Sequence, residues 1–253
     1  MSRISSFRER LRVRHRILGT FVKTPNAAII EVLGYSPLDC VCLDAEHAPF
    51  DRTALDAAIL AARAADMPSL VRVSRMDTAD ILSTLDLGAT GVVVPHVSSQ
   101  QTALAAAAAC RYGPRGRGYA GSTRAAGYGT RSMAENIAQA NAEVTLIAQI
   151  EDADALDEID SIAAVDGIDA LFIGRMDLTV SMGADSPNHP SVVDAVGTIC
   201  AAAKRHNRCV GMFTATTIEA LQWFDAGASF FLLSSDQQMM LQGAKRLREE
   251  FDQ

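Results

Sequence analysis

Short apolar runs recur eight times along this chain, each parted from the next by a stretch with helical spacing. A run of four to six apolar residues without strict polar alternation suits a strand covered on both faces. Helices between such strands impose parallel pairing with right-handed crossovers. The runs fall at 17–22, 39–44, 69–73, 91–95, 144–150, 170–173, 209–213 and 230–234. Helices are predicted over 1–15, 26–34, 51–65, 78–87, 100–110, 152–165, 191–206, 218–226 and 237–251. Eight such repeats close a barrel, and 253 residues is the usual length for one. The expectation is therefore a single α/β domain over 1–253, a (β/α)8 TIM barrel. An open doubly wound sheet would show a glycine-rich turn after its first strand, whereas Phe21-Val22-Lys23-Thr24-Pro25-Asn26 contains no glycine.

One connection is out of proportion. Residues 111–130 are rich in Gly, Arg and Tyr and show neither period. Unstructured connections of that length are usually functional, so the segment is read as an active-site loop.

Three of the apolar runs end in ionisable groups: Leu43-Asp44-Ala45-Glu46-His47, Ala148-Gln149-Ile150-Glu151 and Phe172-Ile173-Gly174-Arg175-Met176-Asp177. In a parallel barrel all strand C-termini share one rim, so Asp44, His47, Arg72, Glu151 and Asp177 can converge although distant in sequence. The carboxylates Glu151 and Asp177 suit a hard divalent cation such as Mg2+ or Mn2+. Arg72 can grip a carboxylate or enolate oxygen and keeps its charge. Asp44 and His47, three residues apart, could pair with the imidazole as general base. Cation, arginine and base together meet the needs of aldol cleavage, which must stabilise an enolate and move a hydroxyl proton. Singly, Asp177 reads equally as a helix cap, His47 as a loop residue and Arg72 as half of an ion pair. His96 reads as a cover for the barrel mouth, and His15, His189 and His206 as surface residues.

Composition narrows the partners. A formal net charge of −7 argues against nucleic acid or an anionic membrane. The arginines Arg8, Arg10, Arg12, Arg14 and Arg16 form a basic N-terminal run, read as a solvated amphipathic helix. Five cysteines without a C-x-x-C pair suit a reducing cytosol. With no signal-peptide core at the N-terminus and no apolar run near the ~20 residues of a membrane span, a soluble cytoplasmic protein is expected.

Leu43-Asp44-Ala45-Glu46-His47-Ala48-Pro49, Val71-Arg72-Val73, Pro114-Arg115-Gly116-Arg117-Gly118, Gln149-Ile150-Glu151 and Phe172-Ile173-Gly174-Arg175-Met176-Asp177-Leu178 occur in the order seen in the HpcH/HpaI family of metal-dependent pyruvate aldolases. The chain resembles that family over nearly all its length after the first helix. The resemblance implies a class II aldolase acting on 4-hydroxy-2-oxo acids to release pyruvate or hydroxypyruvate and an aldehyde, with Mg2+, Mn2+ or Co2+ as cofactor. It implies Glu151 and Asp177 as metal ligands, Arg72 beside the enolate, and His47 with Asp44 as the acid/base dyad. Gln149 would stand beside the metal, and Gly174 and Met176 where backbone amides hold the pyruvate carboxylate. Asp86 would reach a neighbouring subunit's site, in a homo-hexamer whose C-terminal helices are exchanged. The chain departs from the family pattern at Arg175, where relatives usually carry proline, and at Phe21, where many carry tryptophan. Two other readings stay open at this point: a CoA-thioester lyase of the citryl/malyl type, and a non-catalytic barrel binding a metal–carboxylate ligand. A Schiff-base aldolase is disfavoured, since none of Lys23, Lys204 and Lys245 convincingly closes an inner strand.

Overall fold

In a computed structural model that describes residues 2–253, eight parallel strands close a barrel. They are β1 (Ile17–Val22), β2 (Cys40–Asp44), β3 (Ser69–Arg72), β4 (Gly91–Val94), β5 (Thr145–Ile150), β6 (Ala170–Ile173), β7 (Cys209–Thr214) and β8 (Phe230–Ser235). β8 pairs with β1 to complete the ring. Around it lie α1 (Arg3–Arg12), α2 (Ala27–Gly34), α3 (Arg52–Ala64), α4 (Thr78–Asp86), α5 (Gln100–Cys110), α6 (Met133–Glu143), α7 (Ile159–Ala164), α8 (Arg175–Ser181), α9 (Pro190–Arg205), α10 (Thr217–Asp225) and α11 (Asp236–Phe251). The single-domain barrel expected from the apolar runs is the fold observed. Among the described residues no helix is long and apolar enough to cross a membrane.

Strand side chains alternate between the barrel interior and the helix layer. Cys40 and Cys42, Leu70, Val93, Ile147, Ala170 and Phe172, Phe230 and Leu232 form the interior cluster, and the intervening residues pack under the helices. Followed to the strand C-termini, the inward parity runs out in polar groups: Asp44 on β2, Arg72 on β3, Gln149 on β5 and Glu151 just past it. The polar rim is thus the continuation of the core pattern.

α1 closes the opposite end. Phe7 and Leu11 are fully buried and belong to the interior cluster, each burial stabilising by roughly 2 kcal/mol. The arginine run is correspondingly a solvated face only in part: Arg12 and Arg16 are exposed, while others are tied down. Arg8 bonds Asp169 at 2.9 Å and the Asn141 and Ala142 carbonyls, Arg10 pairs with Asp39 at 2.5 Å, and Arg16 stacks 3.8 Å over the Phe224 ring. Asp39 and Asp169 lie just before β2 and β6, so the cations fasten the plug to the barrel floor.

Four local features depart from expectation, one being α8, which follows β6 where no helix was predicted. α6 was not anticipated, although Ser132 and Glu135 form a reciprocal capping box that marks its start. The helix expected over 152–165 is broken into a 3-10 turn, Ala153–Leu156, and the short α7. A continuous helix would stack Asp154 and Glu158 as like charges four residues apart. The segment 111–130 leaves the C-terminal end of α5, on the side remote from the polar rim. It leans on α3 and α4: Ala125 donates to the Asp86 carbonyl, and Arg124 to those of Asp56 and Leu87. It is therefore no lid over this chain's own mouth, because it joins the end of α5 to the start of α6, not a strand end to a helix.

All five cysteines are free. Burial pushes the Cys40, Cys42, Cys110 and Cys209 thiols up, so none is poised as a nucleophile.

Candidate active site

Asp44 and Arg72 end neighbouring strands as register partners, so both side chains point inward. Arg72 Nε lies 3.1 Å from Asp44 Oδ1 and Nη2 lies 2.8 Å from Oδ2, a two-pronged pair with Asp44 fully buried. Lys23 Nζ adds a second cation 3.4 Å from Asp44 Oδ2. Burial alone would raise the Asp44 pKa, but the Arg72 charge and the His47 amide outweigh it and hold the carboxyl below its ordinary value. Asp236 accepts the amides of Lys23 and Thr24 at 2.8 and 3.1 Å, fixing the turn that carries the lysine.

The His47 ring is not held by Asp44. Its main-chain amide donates to Asp44 Oδ1 at 3.1 Å, while the imidazole is more than half exposed with Nε2 3.7 Å from Glu46. The imidazole–carboxylate dyad expected from the three-residue spacing is thus not formed in this chain, because Arg72 already occupies both Asp44 oxygens.

Glu46, not singled out from sequence, extends the site. Its Oε2 lies 3.2 Å from Arg72 Nε, and its carboxylate shares a cluster with His96 and Glu151 whose ligand atoms all lie within 4.8 Å. Burial and the charge of Glu151 raise the Glu46 pKa against the pull of Arg72. His96 takes a left-handed backbone, φ 53°, that aims its amide at Glu151 Oε1, 2.9 Å away, and its ring at Asp152, 3.1 Å away. The sequence signal was there in Pro95-His96, directly after β4.

Glu151 is buried and accepts from the Gln149 side-chain amide. Gly174 lies against it: a Cβ there would come within 2.7 Å of Glu151 Oε2. Asp177 stands in the first turn of α8, exposed, outside the Glu46–His96–Glu151 cluster. It faces the cavity of about 400 Å3 that Arg72, His47, Gln149, Phe172 and Gly174 also line. The Gly174 amide is not free for a ligand, since it donates to the Ile150 carbonyl at 3.0 Å; Met176, in the first helical turn, has no acceptor within its own helix.

Two residues named from sequence lie elsewhere or act differently. Asp86 ends α4 at the remote end of the barrel, where Arg117 pairs with it at 2.5 Å; it cannot serve this chain's own cavity. Arg175 is buried. It donates to Glu219, to the Pro187 carbonyl at 3.0 Å and to Asn188 at 3.2 Å, with its guanidinium 4.9 Å over the Trp223 ring.

The family described as HpcH/HpaI aldolase/citrate lyase matches residues 17–242. This chain belongs to the HpcH/HpaI aldolase/citrate lyase family. It is 32% identical over 249 residues to the 5-keto-4-deoxy-D-glucarate aldolase of Salmonella arizonae, covering 98% of this chain and 96% of that one. A solved HpcH/HpaI family protein from Burkholderia cenocepacia superposes with a TM-score of 0.93 at 32% identity, over 98% of this chain and 100% of that one. The citrate synthase SbnG superposes with a TM-score of 0.86 at 27% identity, over 99% of this chain and 100% of that one.

As an HpcH/HpaI member the chain is an enzyme of the aldolase/lyase type, and its family generally depends on a divalent metal. The residues fit one. A buried carboxylate faces a second carboxylate and an imidazole, the Cα of Gly174 leaves space at Glu151 that a side chain would fill, and the buried Gln149 Oε1 has no partner. Oxygen donors with one imidazole suit a hard or borderline divalent cation.

Proposed function

We propose that this protein is a class II aldolase that reversibly cleaves 4-hydroxy-2-oxo acids to pyruvate or hydroxypyruvate and an aldehyde. The observation that carries the reading is Arg72, held at the cavity by Asp44 on two nitrogens and by Glu46 on one of them, so that Nη1 is left for a ligand. A guanidinium fixed in this way is pre-organised for the negative charge that develops on the oxo oxygen as the carbon–carbon bond breaks. Glu151 and Asp177 would hold the cation, with Glu46 and His96 beside Glu151 as further donors. When bound, Mg2+ or Mn2+ (or Co2+) supplies Lewis acidity that polarises the keto acid. Gln149 orients the Glu151 carboxylate. His47, at the mouth with its ring exposed, is placed to take the proton from the substrate hydroxyl in cleavage and return it in synthesis. Asp44 serves both partners at once by fixing Arg72 and the His47 backbone. Met176 contributes a first-turn amide toward the substrate carboxylate.

The assembly belongs to the same reading. Beyond Asp236, α11 has no buried residue, and it exposes Met240, Leu241, Leu247 and Phe251. A homo-hexamer with exchanged C-terminal helices would cover them and carry Asp86 to a neighbour's site; sedimentation of a lone monomer at working concentration would refute it. Buried reduced thiols agree with a cytoplasmic enzyme.

The deciding experiment is a cleavage and synthesis panel with pyruvate and hydroxypyruvate, run on metal-stripped protein with and without added Mn2+ or Mg2+. Activity should vanish on stripping, return with metal, and fall about a hundredfold in Arg72→Lys, the loss typical of one transition-state contact. Full turnover without metal, or cleavage confined to CoA thioesters, would overturn the assignment.

A further inference from the structure

The far end of the barrel holds a second cavity, of about 370 Å3, within the size range of small-molecule sites. It lies between the C-terminal ends of α3, α4 and α6, and Arg63, Arg117, Arg131 and Asn136 line it. We propose that this cavity is a binding site for a small, multiply charged oxyanion, a dicarboxylate or a phosphate.

The polar groups left unsatisfied here are donors. Arg117 Nε and Asn136 Nδ2 are buried without an acceptor. Arg117 spends one terminal nitrogen on Asp86, which leaves Nε facing no acid. Arg124 is neutralised by Asp56 at 2.7 Å, and Arg131 bonds only the Ala125 carbonyl, at 3.2 Å. Among the described residues neither Arg63 nor Arg131 has a carboxylate within ion-pair distance. Two acids also line the cavity, and their hydrogen bonds come from neutral groups: Asp66 accepts the Arg3 amide at 2.8 Å and the Ser2 hydroxyl, and Glu143 accepts the Gln139 amide at 3.1 and 3.2 Å. Neither reaches the buried Arg117 Nε and Asn136 Nδ2, and what these two lack is an acceptor.

The backbone is arranged to gather these cations. Gly88 takes a left-handed φ of 93°, and a Cβ on it would lie 3.2 Å from Arg63 Nη1 and 3.7 Å from the Arg124 side chain. Its bare Cα lets the two arginines close in. Burial, then the charges of Arg124 and Arg131, lower the Arg63 pKa against the smaller opposing pull of Tyr128 and Glu143, so like charges crowd this end of the cavity. In a chain of net charge −7 the attraction for an anion is local, not a property of the overall field.

Isothermal titration of the full chain with inorganic phosphate, and separately with succinate, tests the proposal in a chloride buffer. Saturable binding is expected, and the tighter of the two anions identifies the source. Arg63→Gln and Arg131→Gln should each weaken it about tenfold, the loss of one charged hydrogen bond. Arg131→Lys should keep part of the affinity, while Arg72→Lys, at the catalytic rim, should leave it unchanged. Circular dichroism on each variant separates lost binding from lost fold, and the exposed Arg63 position keeps at least one variant foldable. No saturable binding of either anion, binding indifferent to Arg63→Gln and Arg131→Gln, or binding lost with Arg72→Lys would each overturn the site. None of these outcomes depends on aldolase activity.

Discussion

Asp44 and Arg72 face each other across the β2–β3 pair, joined by two hydrogen bonds of 3.1 and 2.8 Å. Neighbours in register on a parallel sheet point the same way, so the ladder itself aims both charges into the barrel. Arg72 is thereby held by backbone pairing as well as by its own contacts.

Asp44→Ala is expected to cost about 3 kcal/mol of stability, because it strands a buried guanidinium with Glu46 as its one nearby acid. Urea unfolding measures this directly. Catalysis should also fall, with aldol turnover more affected than substrate affinity, since Arg72 loses its orientation. An unchanged unfolding midpoint would show that Glu46 alone can hold Arg72.

Gly174→Ala should weaken divalent-metal affinity while leaving the fold intact. The new methyl would sit 2.7 Å from Glu151 Oε2, so the carboxylate must turn away. Calorimetric titration with Mn2+ reads the loss, expected to be tenfold or more on the order of a displaced ligand or supporting group. Wild-type affinity in this variant would mean that Glu151 is not a ligand.

Arg175 ties the start of α8 to Glu219 of α10 and to the Pro187–Asn188 loop. Proline at this first helical position would restrain the backbone locally; the arginine does so through tertiary contacts. Arg175→Pro should leave metal dependence intact and shift the ratio of kcat/KM for pyruvate against hydroxypyruvate by a few-fold, roughly 1 kcal/mol. Glu219→Gln should move the ratio in the same direction. Identical ratios in both variants and wild type would place donor preference elsewhere in the cavity.

Asp66 anchors the first turn of α1 by accepting the amides of Arg3 and Ile4 and the Ser2 hydroxyl, and these bonds outweigh the upward pull of burial to lower its pKa. A carboxyl depressed on folding contributes stability above its unfolded pKa, near 4, and loses it as pH falls through the lower folded value. The hydrogen-exchange protection factors of amides 3–12 should therefore fall below about pH 4. Asp66→Asn should show low protection at every pH, without that step. A wild-type step preserved in the variant would show that Asp66 is not its source.

Most of the barrel was legible because its signal is local: each apolar run and each cap, Asn26, Asp51 and Ser99 among them, announces its own element. The rim was legible because inward parity can be counted from Cys40 to Asp44, or from Ile147 to Glu151. What could not be read was partnership. Spacing made His47 the natural companion of Asp44, but cross-strand register gives that place to Arg72. Glu46 looked like a loop acid until His96, fifty residues on, turned back toward it in a left-handed conformation. The basic run 8–16 looked solvated because its acids, Asp39 and Asp169, precede distant strands. Arg175 was legible only as a departure from the family pattern; it lines the cavity, and nothing local foretells Glu219 beside it.

Phe7 and Leu11 share their interior cluster with Phe230 and Leu232. A ribosome therefore releases the first two long before the strand they pack with exists. Until β8 emerges and seals against β1, the earliest apolar side chains of the chain have no home, and the unsealed edge of β1 is open to other strands. Synthesis of this protein thus carries its greatest hazard of aggregation at the very end, and a slow final segment would lengthen the exposure of its beginning.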